Sequence, residues 1–231
     1  AKITTYFETL LDSAKKIGYE DYSINGWHYH CRGIYNLMMN SSILEYVADL
    51  IGPNVLNIMT HLFYKRSKDK RKVSWHQDAS YWPLTPTKTI TVWLALDDVS
   101  AQNGAMKFIP GSHHHGQIPF RASDVGEHNV LNQTVSSPED WGENAVNVEL
   151  KAGQISIHSD LLLHGSEPNL STTNRRGLTL RYMPSDVQCT DSNFGKNRRA
   201  FQCLGTNPEK HWSIVSPPVG EAMPLKLETP L

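Results

Sequence analysis

The sequence predicts a mainly β chain, closed into a double-sheet barrel of the jelly-roll or cupin type with supporting N-terminal helices. Three observations carry this. Short β-branched or aromatic runs recur between residues 55 and 183, Gly, Pro, Asn and Asp separate them, and no helical periodicity intervenes. Short strands in series favour two packed sheets over a parallel sheet with crossover helices. At 231 residues the chain is long enough for one large β domain or two ordinary ones. It is read as a single domain over 1–231, with a helical part about 1–53 and a β core about 54–184.

Over residues 5–18, Phe7, Leu10, Leu11, Ala14 and Ile17 recur at three and four, predicting an amphipathic helix ended by Gly18. Residues 19–35 show no clear period and are read as loop. Ser41 and Ser42 offer a cap, and Ile43, Leu44, Val47 and Leu50 predict a second helix stopped by Gly52-Pro53. Strands are expected at 55–64, 73–75, 89–96, 105–109, 146–150, 154–158 and 177–183. The polar stretch from 113 to 142 is then an insertion, expected to cover a site rather than to form a domain of its own.

With 22 Lys+Arg against 23 Asp+Glu and a pI near 6.9, the chain has no global basic field to hold nucleic acid or an anionic membrane. No apolar run approaches a membrane span, so a small-molecule partner is favoured. Cys31, Cys189 and Cys203 are odd in number, far apart and in no zinc-ribbon spacing, which fits a reducing cytoplasm. No signal-peptide pattern opens the chain, although it begins on Ala1 without a methionine. Oligomeric state is not legible.

The stretch Trp75-His76-Gln77-Asp78 sets an imidazole and a carboxylate two residues apart. In a strand, residues i and i+2 point to one face, so His76 and Asp78 can reach one point in space. Spacing alone is weak: 11 histidines and 12 aspartates in this chain give roughly 0.6 such triplets by chance, and His158-Ser159-Asp160 is a second one. Two histidines and one carboxylate on one face of an octahedral ion, with other positions open, is the arrangement of non-heme Fe(II) oxygenases. His164, at the end of the apolar run Leu161-Leu162-Leu163, supplies a candidate third ligand.

Over roughly residues 43–184 the chain resembles the phytanoyl-CoA dioxygenase family of Fe(II)/2-oxoglutarate oxygenases. The resemblance rests on His76-Gln77-Asp78, Val92-Trp93-Leu94-Ala95-Leu96-Asp97-Asp98, Asn103-Gly104-Ala105-Met106, Ile109-Pro110-Gly111-Ser112-His113, Leu163-His164-Gly165-Ser166 and Arg175-Arg176-Gly177. It implies a double-stranded β-helix, and it selects the first triplet, because the family's His-x-Asp lies about ninety residues before the distal histidine and here the interval from 76 to 164 is 88. His158 and Asp160 are then strand-end polar residues.

The resemblance also implies roles. His76, Asp78 and His164 are the expected iron ligands. Arg175, as a planar two-donor fork, is expected to hold the distal carboxylate of 2-oxoglutarate, with Ser166 adding a hydroxyl and with Lys65 and Trp93 as further co-substrate contacts. Trp93 reads equally as core. O2 completes the reactants, and the retained carboxylate of Asp78 argues for hydroxylation, since related halogenases lack it. His113-His114-His115 is read as polar loop and 65–72 as a solvated hairpin that could steer anions. The substrate resemblance is to enzymes that hydroxylate small amino-phosphonates such as 2-aminoethylphosphonate, for which Arg121, Asn129, Asn169 and Arg176 are available by type. Alternatives are hydroxylation of another small metabolite, a cupin-like metal isomerase or hydrolase, which would need no arginine eleven residues after the last ligand, and a non-catalytic β binding module.

Overall fold

The computed structural model describes residues 2–18, 24–191 and 199–222. Strands dominate them. In chain order these are β1 (Ile24–Asn25), β2 (Val55–Lys65), β3 (Val73–His76), β4 (Leu84–Thr85), β5 (Ile90–Ala95), β6 (Met106–Phe108), β7 (Arg121–Ala122), β8 (Gln133–Thr134), β9 (Val146–Val148), β10 (Ile155–Ser159), β11 (His164–Ser166), β12 (Arg175–Pro184), β13 (Gln188–Cys189), β14 (Arg199–Leu204) and β15 (Ser213–Ile214). All seven expected strands are present, and β12 starts two residues early, which places Arg175 inside it. Among the described residues no helix is long and apolar enough to cross a membrane.

Two compact units share the chain in alternating segments: Ala1–Phe63, Pro83–Trp93 and Leu178–Leu231 in the first, Tyr64–Trp82 and Leu94–Gly177 in the second. The first holds the helices α1 (Lys2–Lys16), α2 (Arg32–Met38) and α3 (Ser41–Ile51). The periodic residues Phe7, Leu10, Leu11 and Ala14 are buried as predicted, but Ile17 falls beyond the helix end and is exposed. Residues 19–23 of the expected loop lie outside the described residues, and Arg32–Met38 is helical instead, burying Ile34 and Met38 four positions apart. The cap of α3 is Asn40, whose side chain accepts from Ile43 N at 3.4 Å, rather than Ser41 or Ser42. Leu50 is exposed, so only Ile43, Leu44 and Val47 face the core. The strand order in this unit is β5-β12-β2-β14-β15, with β1 on β2.

The second unit carries the four-stranded sheet β3-β11-β6-β9. Across it, His164 is the register partner of both His76 on β3 and Phe108 on β6. The register shifts between His164 and Ser166, and Gly165 makes the close approach possible: a Cβ there would stand 2.9 Å from Val73 O. The 113–142 segment is bound firmly to β3. Val135 N donates to Trp75 O at 2.8 Å, and Ile118 and Val135 are buried with Ile109 and Leu163, flanked by Trp75 and Trp141.

Candidate metal centre

β3 ends on His76, Gln77 stays extended, and Asp78 opens a 3-10 turn, so the strand's alternation carries His76 and Asp78 to the same side. His164 opens β11 directly opposite. One ligand atom from each of the three lies within 4.8 Å of the others, and all three residues are buried. His76 Nδ1 bonds Ser74 O and His164 Nδ1 bonds Leu162 O, both at 2.8 Å. Each is the carbonyl two residues back, and a carbonyl only accepts. Both rings are therefore assigned the tautomer that carries its proton on Nδ1 and presents an Nε2 lone pair. Those Nε2 atoms stand 3.8 and 4.0 Å from Asp78 Oδ1, too far for hydrogen bonds. Two neutral imidazole acceptors and a carboxylate converging without bonding one another are a donor set suited to a divalent first-row ion.

The surrounding motifs hold these ligands in place. Gln77, 1 % exposed, donates to Gly116 O at 2.8 Å and Leu161 O at 2.6 Å and accepts from Ile118 N at 2.7 Å. Ser112 Oγ accepts from Leu163 N, and Leu163 O accepts from Ile109 N, so the Ile109–Ser112 motif fixes the residue before His164. His158, read as a strand-end polar residue, does lie at the end of β10, and it is buried, with Nε2 3.8 Å from Asp78 Oδ2 and its ring 4.6 Å from that of His164. Asp160, also buried, accepts from Ala79 N through its backbone oxygen and is not in the three-ligand group.

A second cluster gathers around Ser166, two residues beyond His164. Lys65, read from sequence as the start of a solvated hairpin, is only 1 % exposed. Its Nζ donates to Ser166 Oγ at 2.7 Å, to Ser166 O at 3.3 Å and to Glu167 O. Burial and, after it, the Arg175 charge depress the Lys65 amine to about 6. Arg175 is buried and donates from Nη2 to Gly104 O at 2.7 Å. Gly104 has φ +81, and a Cβ there would run into Glu167 O. Trp93 is buried in β5, in the first unit.

The four residues expected to meet the substrate are occupied elsewhere. Arg176 grips Asp97 with Nε at 2.8 Å and Nη2 at 2.6 Å, because neighbours on a strand face opposite ways and Arg176 turns from the side Arg175 uses. Asn169 spends its amide on the carbonyls of Lys65, Arg66 and Thr173. Asn129 ties Ser74 Oγ and Ser123 Oγ together at 2.7 Å each and accepts from Ser74 N. Arg121 is exposed and paired with Glu127 at 2.5 Å. By contrast Tyr81, which was not singled out, stands edge-on to His76 with ring centroids 5.9 Å apart. Burial and then the Asp78 charge hold its phenol well above the usual range, so it remains a donor.

A double-stranded β-helix carrying a two-histidine, one-carboxylate group is the architecture of the non-heme, 2-oxoglutarate-dependent oxygenases. Within that class the chain belongs to the phytanoyl-CoA dioxygenase (PhyH) family, which residues 20–177 match. Iron and 2-oxoglutarate are this family's metal and co-substrate. A probable alpha-ketoglutarate-dependent hypophosphite dioxygenase of Stutzerimonas stutzeri is 30% identical over 69% of this chain and 56% of its own length. The peroxisomal phytanoyl-CoA dioxygenase of Homo sapiens is 30% identical over 64% of this chain and 45% of its own. The chain thus spans about half the length of these curated relatives. The solved apo structure of the non-heme monooxygenase ThoJ matches with a TM-score of 0.79 and 27% identity, over 93% of this chain and 78% of that one.

Proposed function

We propose that the chain, acting as one domain over 1–231, is an Fe(II)- and 2-oxoglutarate-dependent hydroxylase. The observation that carries this is the pair of histidines locked in one tautomer about Asp78, with a lysine–serine–arginine cluster beginning two residues beyond His164. His76, Asp78 and His164 hold the iron. Arg175, Lys65 and Ser166 hold the distal carboxylate of 2-oxoglutarate, for which a cupin-like isomerase or a binding module has no use. When bound, iron and 2-oxoglutarate supply the oxidising chemistry, consuming O2 and giving succinate, CO2 and a hydroxylated product. The protein orients the reactants and excludes water, and Gln77 and Asn129 fix the 113–142 segment beside the ligands for that purpose.

The substrate we propose is a small phosphorus oxyanion compound, 2-aminoethylphosphonate or a close amino-phosphonate, hydroxylated on the carbon bearing phosphorus. Its support is the sequence resemblance together with a relative described as acting on hypophosphite. With Arg121, Asn129, Asn169 and Arg176 committed elsewhere, the Tyr81 hydroxyl is the donor we assign to the anionic group. The test is an anaerobic titration of Fe(II) enzyme with 2-oxoglutarate, followed by succinate release on a panel of 2-aminoethylphosphonate, hypophosphite and phytanoyl-CoA. A metal-to-ligand absorption band and stimulation by the amino-phosphonate are expected. Turnover of the acyl thioester, with amino-phosphonates leaving the uncoupled rate unchanged, would remove the substrate and leave the oxygenase reading in place. The absence of both band and succinate would remove the oxygenase reading.

A further inference from the structure

Tyr81 closes the turn that Asp78 opens. Its N–H donates to Asp78 O at 3.0 Å, and its partly buried ring stands edge-on to His76, at 75° and with centroids 5.9 Å apart. The hydroxyl is buried and close enough to Asp78 to feel the carboxylate charge. One ring therefore borders both His76 and Asp78. The turn beneath it is pinned by Ala79 N on Asp160 O at 2.9 Å and by Ser80 N on Gln77 O at 3.2 Å. Two other aromatic side chains lie nearby. Phe108 meets His164 edge-on at 6.3 Å, while Trp75, next to His76 on β3, faces away from the ligands onto the cluster of Ile109, Ile118, Val135 and Leu163. A phenol is more readily oxidised than the phenyl ring of Phe108, because its oxygen donates electron density to the ring carbons beside it.

We propose that Tyr81 is a self-modification site: when the Fe(II) enzyme meets 2-oxoglutarate and O2 with no substrate in place, a ring carbon beside the Tyr81 hydroxyl is itself hydroxylated, turning the phenol into a catechol. The inference rests on the reading of the triad as an iron site and goes beyond it to the enzyme's own side chain. The reaction balances with the reactants already named. 2-Oxoglutarate loses CO2 and two electrons, the ring carbon loses two more, and O2 accepts all four. One oxygen atom enters the new carboxylate of succinate, and the other enters the ring C–H bond, whose hydrogen ends on the new hydroxyl. A site that closes over its substrate suppresses such side reactions, and a site turning over empty leaves the nearest oxidisable group exposed to them. Proximity selects that group, and the ring fixed beside two of the three ligands is Tyr81. A substrate whose anionic group takes the Tyr81 hydroxyl occupies the space that the ring borders, so the modification belongs to turnovers begun without substrate.

The test loads wild-type protein with Fe(II) and 2-oxoglutarate without oxygen, records the absorption band of the complex, and then admits isotopically labelled O2 with no substrate present. Peptide mass spectrometry locates the label, and a tetrazolium stain that responds to catechols reports the product independently of the metal. One labelled oxygen is expected on the peptide carrying Tyr81, together with a positive stain. Asp78→Ala, which lacks the metal, is expected to take up no label, and Tyr81→Phe to lose the stain, since one hydroxylation of a phenyl ring gives only a phenol. A complex that shows the band yet leaves every peptide unlabelled would overturn the inference. So would label carried by Phe108 or His158 in place of Tyr81, or equal labelling of Asp78→Ala, which would mark oxidation by free iron. Wild-type protein that binds neither Fe(II) nor 2-oxoglutarate would instead overturn the functional reading beneath it.

Discussion

Gln77 Nε2 donates to Leu161 O at 2.6 Å, tying the residue between the first two proposed ligands to the turn that leads to the third. The same side chain meets Gly116 O and Ile118 N, so all its hydrogen-bonding groups are used and three backbone groups depend on it. Gln77→Leu leaves those groups buried and unsatisfied, at about 1–3 kcal/mol each. We expect a loss on the order of 3 kcal/mol or more in urea denaturation, and weaker metal binding in whatever fraction folds. A stability loss below about 1 kcal/mol would show that water replaces the carboxamide and that the clasp does not position the ligands.

The geometry separates Asp78 from Asp160, the two aspartates that sequence pattern alone leaves equivalent. His76→Ala, Asp78→Ala and His164→Ala are each expected to abolish tight divalent-metal binding and turnover, since two protein donors do not retain a labile ion. Asp160→Asn is expected to keep both, because the backbone oxygen of Asp160, not its carboxylate, makes the bond to Ala79. Metal analysis after gel filtration decides the matter. Loss of metal from folded Asp160→Asn would mean the second triplet had been misjudged.

Legibility followed local geometry. Strand alternation made it readable that His76 and Asp78 can meet, although the resemblance was needed to choose them over His158 and Asp160, and Phe7, Leu10, Leu11 and Ala14 were readable because a fifteen-residue helix repeats its face several times. α2 was not, since seven residues bury only Ile34 and Met38, too few to establish a period. The burial of His158 was hidden for a different reason: alternation tells which residues share a face, not which face is buried. The same limit misdirected the reading of Arg176, whose side of β12 leads to Asp97, and of Asn129 and Asn169, whose amides are consumed by turns no residue type announces. His164 was visible as a candidate from its place at the end of an apolar run, but its pairing with His76 was not, because its partner β3 is far away in sequence.

His28 gives the first unit a pH dependence of its own. Its imidazole is fully buried beside Thr60 Oγ1 at 2.9 Å, and burial, then the charges of His30 and Arg199, depress it to about 3 from the ordinary 6.5. Between those values the unfolded chain binds a proton that the folded one refuses, so the contribution is fully present above pH 6.5 and is lost as pH falls toward 3. At 1.36 kcal/mol per pH unit, the loss by pH 4.5 is about 2–3 kcal/mol. His28→Gln should flatten the stability curve between pH 4.5 and 7 by that amount. Parallel wild-type and His28→Gln curves would mean that the ring titrates normally.

Arg175 presents its fork inside the protein with one donor on Gly104 O. Removing a buried partner of a carboxylate costs about 2–5 kcal/mol, so Arg175→Ala should weaken 2-oxoglutarate binding on the order of a hundredfold or more, and Arg175→Lys should recover only part. An unchanged dissociation constant in anaerobic Fe(II) titrations would remove Arg175 from the co-substrate site.

Lys65 should make co-substrate binding take up a proton. In the fold its amine lies at about 6 against 10.5 for an ordinary lysine, so near pH 7.5 it is mostly neutral beside the Arg175 guanidinium. The sign follows: the unfolded chain holds a proton here between pH 6 and 10.5 and the folded chain does not, so this contribution is present above 10.5 and lost as pH falls through that window. A dicarboxylate arriving beside Lys65 and Arg175 restores the charge. Calorimetric titrations with 2-oxoglutarate in buffers of different ionisation enthalpy should then report uptake approaching one proton near pH 7.5 and none below about pH 5. Lys65→Met should abolish the uptake and weaken 2-oxoglutarate binding. Buffer-independent heats in the wild type would show that Lys65 is charged before the co-substrate arrives, and would leave its hydrogen bonds to Ser166 and Glu167 as its whole role.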